Sequence, residues 1–152
     1  MQASLESLRH EIQSLPDSVS KTIISQLLPR LPSIHNLELV RERSSAEFSI
    51  RNGQLVVGAL DTIIQLLFAL NLEYYPGTAP TMAELKRYAP IRPKRLCRRI
   101  KVVLDGSISW PLRCDDLCDL VHESLDLVVR RFPEVDSFAK ASIYDATFTI
   151  FS

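Results

Sequence analysis

Glycine is scarce: four occur among 152 residues, in the settings NGQ, VGA, PGT and DGS. None of these forms the Gly-rich turn that cradles a phosphate, nor the tight strand-to-helix turn that displays a nucleophile. Cysteine is scarce as well. Cys97, Cys114 and Cys118 are too few and too unevenly spaced for a disulfide framework, so a reducing compartment is the simpler expectation. A clean apolar run is also missing. The longest, LVVGALDTIIQLLFALNL from Leu55 to Leu72, contains Gly58, Asp61, Gln65 and Asn71, and a charge near the middle is costly in hydrocarbon. It reads as a buried core element. The opening MQASLESLRHEIQSL has neither the basic n-region nor the apolar h-region of a secretory signal. The expectation is an intracellular, cytoplasmic chain, with nuclear import or peripheral membrane association open to it.

Net charge is the next absence. The chain has 18 basic and 18 acidic residues. That balance hides a segregation, because KRYAPIRPKRLCRRIK, Lys86 to Lys101, carries eight cations and no acid. Lys86, Arg87, Arg92, Lys94, Arg95, Arg98, Arg99 and Lys101 repel one another unless a counter-charge is supplied. An internal source would be the acidic run Asp115 to Glu123. An external source would be a phosphate-bearing partner, RNA or an anionic membrane, since clustered Lys and Arg attract both. RPKRLCRRIK also resembles a basic nuclear-import signal, a pattern of low specificity. Tyr74, Tyr75 and Tyr88 lie nearby, but no strand carries an aromatic run of the kind that reads RNA bases. Helix-turn-helix and zinc-finger spacings are absent.

Candidate sites for chemistry are weaker. Cys114, Cys118 and His122 follow one another at four-residue spacing and could share a helical face, yet zinc needs a fourth ligand and Cys97 is the obvious remaining thiol. Free cysteines of this kind are ordinarily small buried hydrophobes. Asp115, Asp116, Asp119 and Glu123 suit the start of a helix for dipole reasons alone. His10, His35 and His122 have no motif partner. The reading is a chain without catalytic residues, metal or cofactor.

For architecture, Leu5, Leu8, Ile12 and Leu15 form a 3-4-3 stripe, and a second helix with Val19, Ile23, Ile24, Leu27 and Leu28 starts at Asp17 or Ser18. The first stripe is the candidate self-association seam, in a helical pair spanning residues 1–35 that is expected to form a homo-oligomer or to dock another protein. Residues 44–152 are read as a compact α+β domain. Asn52-Gly53 in AEFSIRNGQLVV signals a two-residue hairpin. Leu104-Asp105-Gly106 signals a second hairpin, with Gly106 left-handed and Ile100 and Val102 facing the core opposite Arg99 and Lys101. Helices follow from Leu60 to Leu72, after the capping box Thr81 and Glu84, and from Asp115 to Phe132. SIYDATFTIF closes the chain as a strand, giving an antiparallel or mixed sheet packed on two to three helices. The functional expectation is a non-enzymatic structural or assembly protein that self-associates and binds RNA or an anionic membrane, of virus-matrix or nucleocapsid-associated design. The alternative is an adaptor acting through its N-terminal helices or an edge strand.

Overall fold

From Asn52 onward, buried positions recur at Val56, Ala59, Leu60, Ile63, Leu66, Leu67 and Leu70, the three- and four-residue spacing of one helical face. In the computed structural model, which describes residues 14–43, 50–76 and 79–135, that stripe is one long helix. The element order is α1 (Asp17–Leu27), a 3-10 turn (Leu28–Arg30), α2 (Ile34–Arg43), α3 (Ile50–Leu70), α4 (Met82–Tyr88), α5 (Leu96–Leu104), α6 (Trp110–Arg131) and a 3-10 turn (Pro133–Val135). α3 is long and apolar enough to cross a bilayer, and here α1 and α6 pack against it. α2 and α5 pack on α6, so α3 and α6 form the centre of the bundle. Ile24 and Leu28 from the first segment, Ile63, Leu66 and Leu67 from α3, and Leu117, Leu120 and Val121 from α6 share one core. Each fully buried aliphatic side chain of this type contributes roughly 1.5–3 kcal/mol of transfer free energy.

The expected α+β sheet is overturned, for the described residues contain no strand. Asn52 and Gly53 sit inside α3, because the 3.6-residue apolar stripe buries more surface than a two-residue turn could organise. The second hairpin is instead α5, a short turn over residues 105–109 and the start of α6. Leu96, Ile100 and Val103 are buried at helical spacing, whereas Val102, assigned to the core by strand alternation, is only part-buried. Gly106 has no left-handed backbone. The turn instead closes through Asp105, whose Oδ1 accepts from the Ser107 amide (2.9 Å) and hydroxyl (2.7 Å). The final helix starts at Trp110 rather than Asp115, with Pro111 in its first turn, so Asp115, Asp116 and Asp119 lie beyond its N-terminus. The closing strand and Leu5, Leu8 and Ile12 lie outside the described residues.

Two left-handed positions fall on residues other than glycine, Leu72 (φ 59°) and Arg95 (φ 56°). Leu72 ends α3 in a Schellman arrangement: the Glu73 amide donates to the Phe68 carbonyl (2.9 Å) and the Leu72 amide to Ala69 (3.1 Å). The Leu72 carbonyl then accepts the Leu15 amide at 2.7 Å. Leu15 is buried, and an isolated antiparallel bridge joins Ser14 to Glu73. This knot fixes the direction in which Tyr74 and Tyr75 leave the bundle.

Candidate functional site

α4 begins as its capping box requires, with Thr81 Oγ1 accepting from the Glu84 amide at 3.1 Å. It ends after two turns, and Asn71, just past α3, clamps the connection that follows. Its Oδ1 accepts from the Ile91 amide (2.9 Å) and its Nδ2 donates to the Ile91 carbonyl (2.8 Å). Leu96, Ile100 and Val103 then seat α5 on the core, which turns Arg98 and Lys101 outward and leaves Cys97, Arg99 and Val102 part-buried at its flanks.

The eight cations divide under that geometry. Arg99 is withdrawn: its Nη1 lies 2.6 Å from Glu123 Oε2, with the side chain 16% exposed. Arg92 donates to the Lys86 and Ala89 carbonyls at 3.3 and 3.1 Å, satisfying the frayed end of α4. Lys86, Arg87, Lys94, Arg95, Arg98 and Lys101 are exposed. None of these six takes part in a salt bridge among the described residues. Among the described residues, a salt bridge therefore neutralises Arg99 alone of the eight. Arg98 and Lys101, three residues apart, lie opposite the buried side of α5, and Lys94 and Arg95 are exposed in the turn that leads into it. Exposed apolar side chains bracket them, Ile91 on the approach (44% exposed) and Leu104 on the last turn (50%). The α5 N-terminus has no side-chain cap and no acid in its first turn. Its positive helix pole thus adds to the same field.

Where α4 meets the end of α3 lies a half-open cleft of about 550 Å³, lined by Phe68, Tyr74, Tyr75, Tyr88, Glu84 and Arg87 among others. Phe68 forms its floor, 2% exposed, with the Tyr75 ring edge-on at 5.7 Å and 86° and the Tyr88 ring tilted at 6.4 Å and 38°. Tyr75 is fixed further by donating its hydroxyl to Asp61 Oδ1 at 2.8 Å, while Asp61 Oδ2 accepts from Gln65 at the same distance. Burial, reinforced by that carboxylate, pushes the Tyr75 hydroxyl up to about 12. The Arg87 guanidinium stands 5.4 Å over the Tyr88 ring. The sequence places three tyrosines near the basic segment, but not the packing of Tyr75 and Tyr88 on the buried Phe68 near the end of α3.

Cys114 is fully buried and Cys118 part-buried on α6. Burial raises the first thiol to about 12 and the second to about 11, so both are neutral at ordinary pH and neither is an activated nucleophile. Among the described residues no three His, Cys, Asp or Glu side chains are placed to hold one metal ion. Arg113 was not signalled by any motif. It is 4% exposed, donates from Nε to the Val103 carbonyl at 2.8 Å, and so ties the end of α5 to α6.

No family model, no curated protein and no solved structure matches the chain. Neither the helical fold of the described residues nor these comparisons support the viral or RNA-binding expectation.

Proposed function

We propose that this helical bundle is a non-enzymatic module that docks on an anionic membrane surface through α5 and the end of α4. The observation that carries the reading is the row of exposed cations Lys94, Arg95, Arg98 and Lys101, without a salt-bridge partner among the described residues, with exposed Ile91 and Leu104 at its two ends. Basic side chains within a Debye length of an anionic leaflet each contribute about 1 kcal/mol, and apolar side chains beside them enter the headgroup boundary. A polyanion such as RNA would use the cations and leave Ile91 and Leu104 idle. The membrane uses both.

Co-sedimentation with phosphatidylcholine vesicles, with and without phosphatidylserine, across a salt series tests this. Added phosphatidylserine strengthens binding, and salt reverses the gain. The double variant Arg98→Gln/Lys101→Gln loses roughly 30-fold on the anionic vesicles, from about 1 kcal/mol per cation. Leu104→Ser weakens vesicle binding but leaves retention on heparin unchanged. Indifference to phosphatidylserine, or a double variant that binds like wild type, sinks the proposal. Tight heparin or RNA binding without vesicle binding transfers the face to a nucleic acid.

A further inference from the structure

The aromatic cleft has walls that suit one class of ligand better than others. Its rings meet at different angles, Phe68 against Tyr75 nearly perpendicular and Phe68 against Tyr88 at 38°. A flat base stacks best between parallel faces. A roughly spherical quaternary ammonium gains from several faces inclined around it, because each presents the negative side of its quadrupole. The cleft's own Arg87 already places a cation over the Tyr88 ring. The exposed carboxylate of Glu84 adds a negative charge to the lining, and the Arg87 guanidinium adds a donor set suited to phosphate. Opposite charges in one aromatic cleft fit a zwitterion. The 550 Å³ volume lies within the usual range of small-molecule sites, roughly 300–1,000 Å³. The walls are built in advance, since the hydrogen bond to Asp61 holds Tyr75 and burial holds Phe68.

We infer that the cleft binds the phosphocholine headgroup of a membrane lipid, its trimethylammonium against the rings of Tyr74, Tyr75 and Tyr88, which the buried Phe68 supports from beneath, with Glu84 as counter-charge, and its phosphate on Arg87. The inference rests on the membrane reading above for the source of the headgroup, whereas the recognition chemistry belongs to the cleft alone. The basic face of α5 supplies attraction to the anionic leaflet. The cleft supplies choice among the lipids met there.

Calorimetric titration of the full chain with soluble phosphocholine, choline, inorganic phosphate and the phosphate ester of 3,3-dimethylbutanol separates the contributions. The ester replaces the charged nitrogen by carbon at nearly constant shape. Phosphocholine binds about fivefold or more tighter than the ester, the scale of one cation–π contact. Tyr74→Ala, at a residue 53% exposed and safe to truncate, weakens choline and phosphocholine by about the same factor. Arg87→Gln brings phosphocholine down to the affinity of choline and leaves choline unweakened. Vesicles with phosphatidylserine fixed and phosphatidylcholine replaced by phosphatidylethanolamine show weaker binding, a difference that Tyr74→Ala abolishes. Equal binding of the ester and phosphocholine, or phosphate alone binding as tightly, overturns the inference. Soluble phosphocholine bound without any preference between the two vesicle types overturns the lipid source. The two proposals fail separately: Arg98→Gln/Lys101→Gln leaves soluble phosphocholine binding unchanged, and a cleft that takes no phosphocholine leaves the anionic preference standing.

Discussion

Ser20 and Ser124 bury their hydroxyl oxygens fully, with no hydrogen-bond partner among the described residues. An unpaired buried hydroxyl forfeits its hydration, so Ser124→Ala and Ser20→Ala each raise stability by about 1 kcal/mol, a shift of roughly 3 °C in the thermal midpoint. Calorimetric melting of both variants checks it, and a loss of stability in both would mean that the hydroxyls are bonded. Cys114 offers a second measurement. Its folded thiol titrates near 12 against an ordinary value of 9.0, so its contribution to stability is whole below pH 9 and is lost as pH rises through the folded value. Cys118, raised to about 11, acts in the same direction. Denaturation midpoints of wild type fall between pH 9 and 11. Cys114→Ala starts lower because of its cavity but declines less steeply, by up to about 1.4 kcal/mol per pH unit. Parallel curves would show that the thiol is solvated.

At the scale of elements, Val102 and Val103 separate the helix from the strand that the alternation of residues 99–104 suggests. Val103 is fully buried and Val102 part-buried, so Val103→Ala costs about 2 kcal/mol and Val102→Ala well under half of that. A strand would reverse the order, and a denaturant series on the two variants decides between them. The same six residues show what the sequence could and could not say. IKVVL satisfies alternation and helical spacing at once when read alone, and only Leu96, four residues before Ile100, extends the helical pattern far enough to outweigh the Asp-Gly turn signal. NG within SIRNGQLVV misleads for the same reason: turn propensity is local, and burial along 21 residues of α3 overrides it. α1, α4 and most of α6 were legible from their apolar stripes and breakers, but the expected side-chain cap forms only at Thr81 of α4, since the N-cap of α1 is Pro16 rather than Asp17 or Ser18 and α6 begins after Ser109. In the candidate site the cations were legible by composition. Their division was not, because Arg99 meets Glu123 from 24 residues away. Gly58 gives an independent check on α3. It is exposed, with open space where a Cβ would stand, so Gly58→Ala stabilises by about 1 kcal/mol through helix propensity alone.

Across the whole molecule the charge sums to zero, with the excess of cations in residues 86–101 balanced by an excess of acids elsewhere. Association driven by net charge would depend on the sum, and association driven by a face would depend on the arrangement. At physiological salt the Debye length is about 8 Å, so a distant carboxylate is largely screened from the basic face. Asp17 and Glu38 are exposed acids on α1 and α2, helices that pack on α3 and α6 respectively. Asp17→Asn/Glu38→Gln raises the net charge by two, and Arg98→Gln/Lys101→Gln lowers it by two. Local docking therefore predicts unequal effects from equal changes in charge. On phosphatidylserine-containing vesicles the first pair shifts affinity by less than about threefold, whereas the second loses roughly 30-fold. Binding isotherms for both at 150 mM and 50 mM salt, about 8 Å and 14 Å of screening, add a control, because the Asp17/Glu38 effect grows at the lower salt while the Arg98/Lys101 effect dominates at both. Equal and opposite shifts at 150 mM would place the attraction in the molecule's total charge, and α5 would lose its claim to be the docking face.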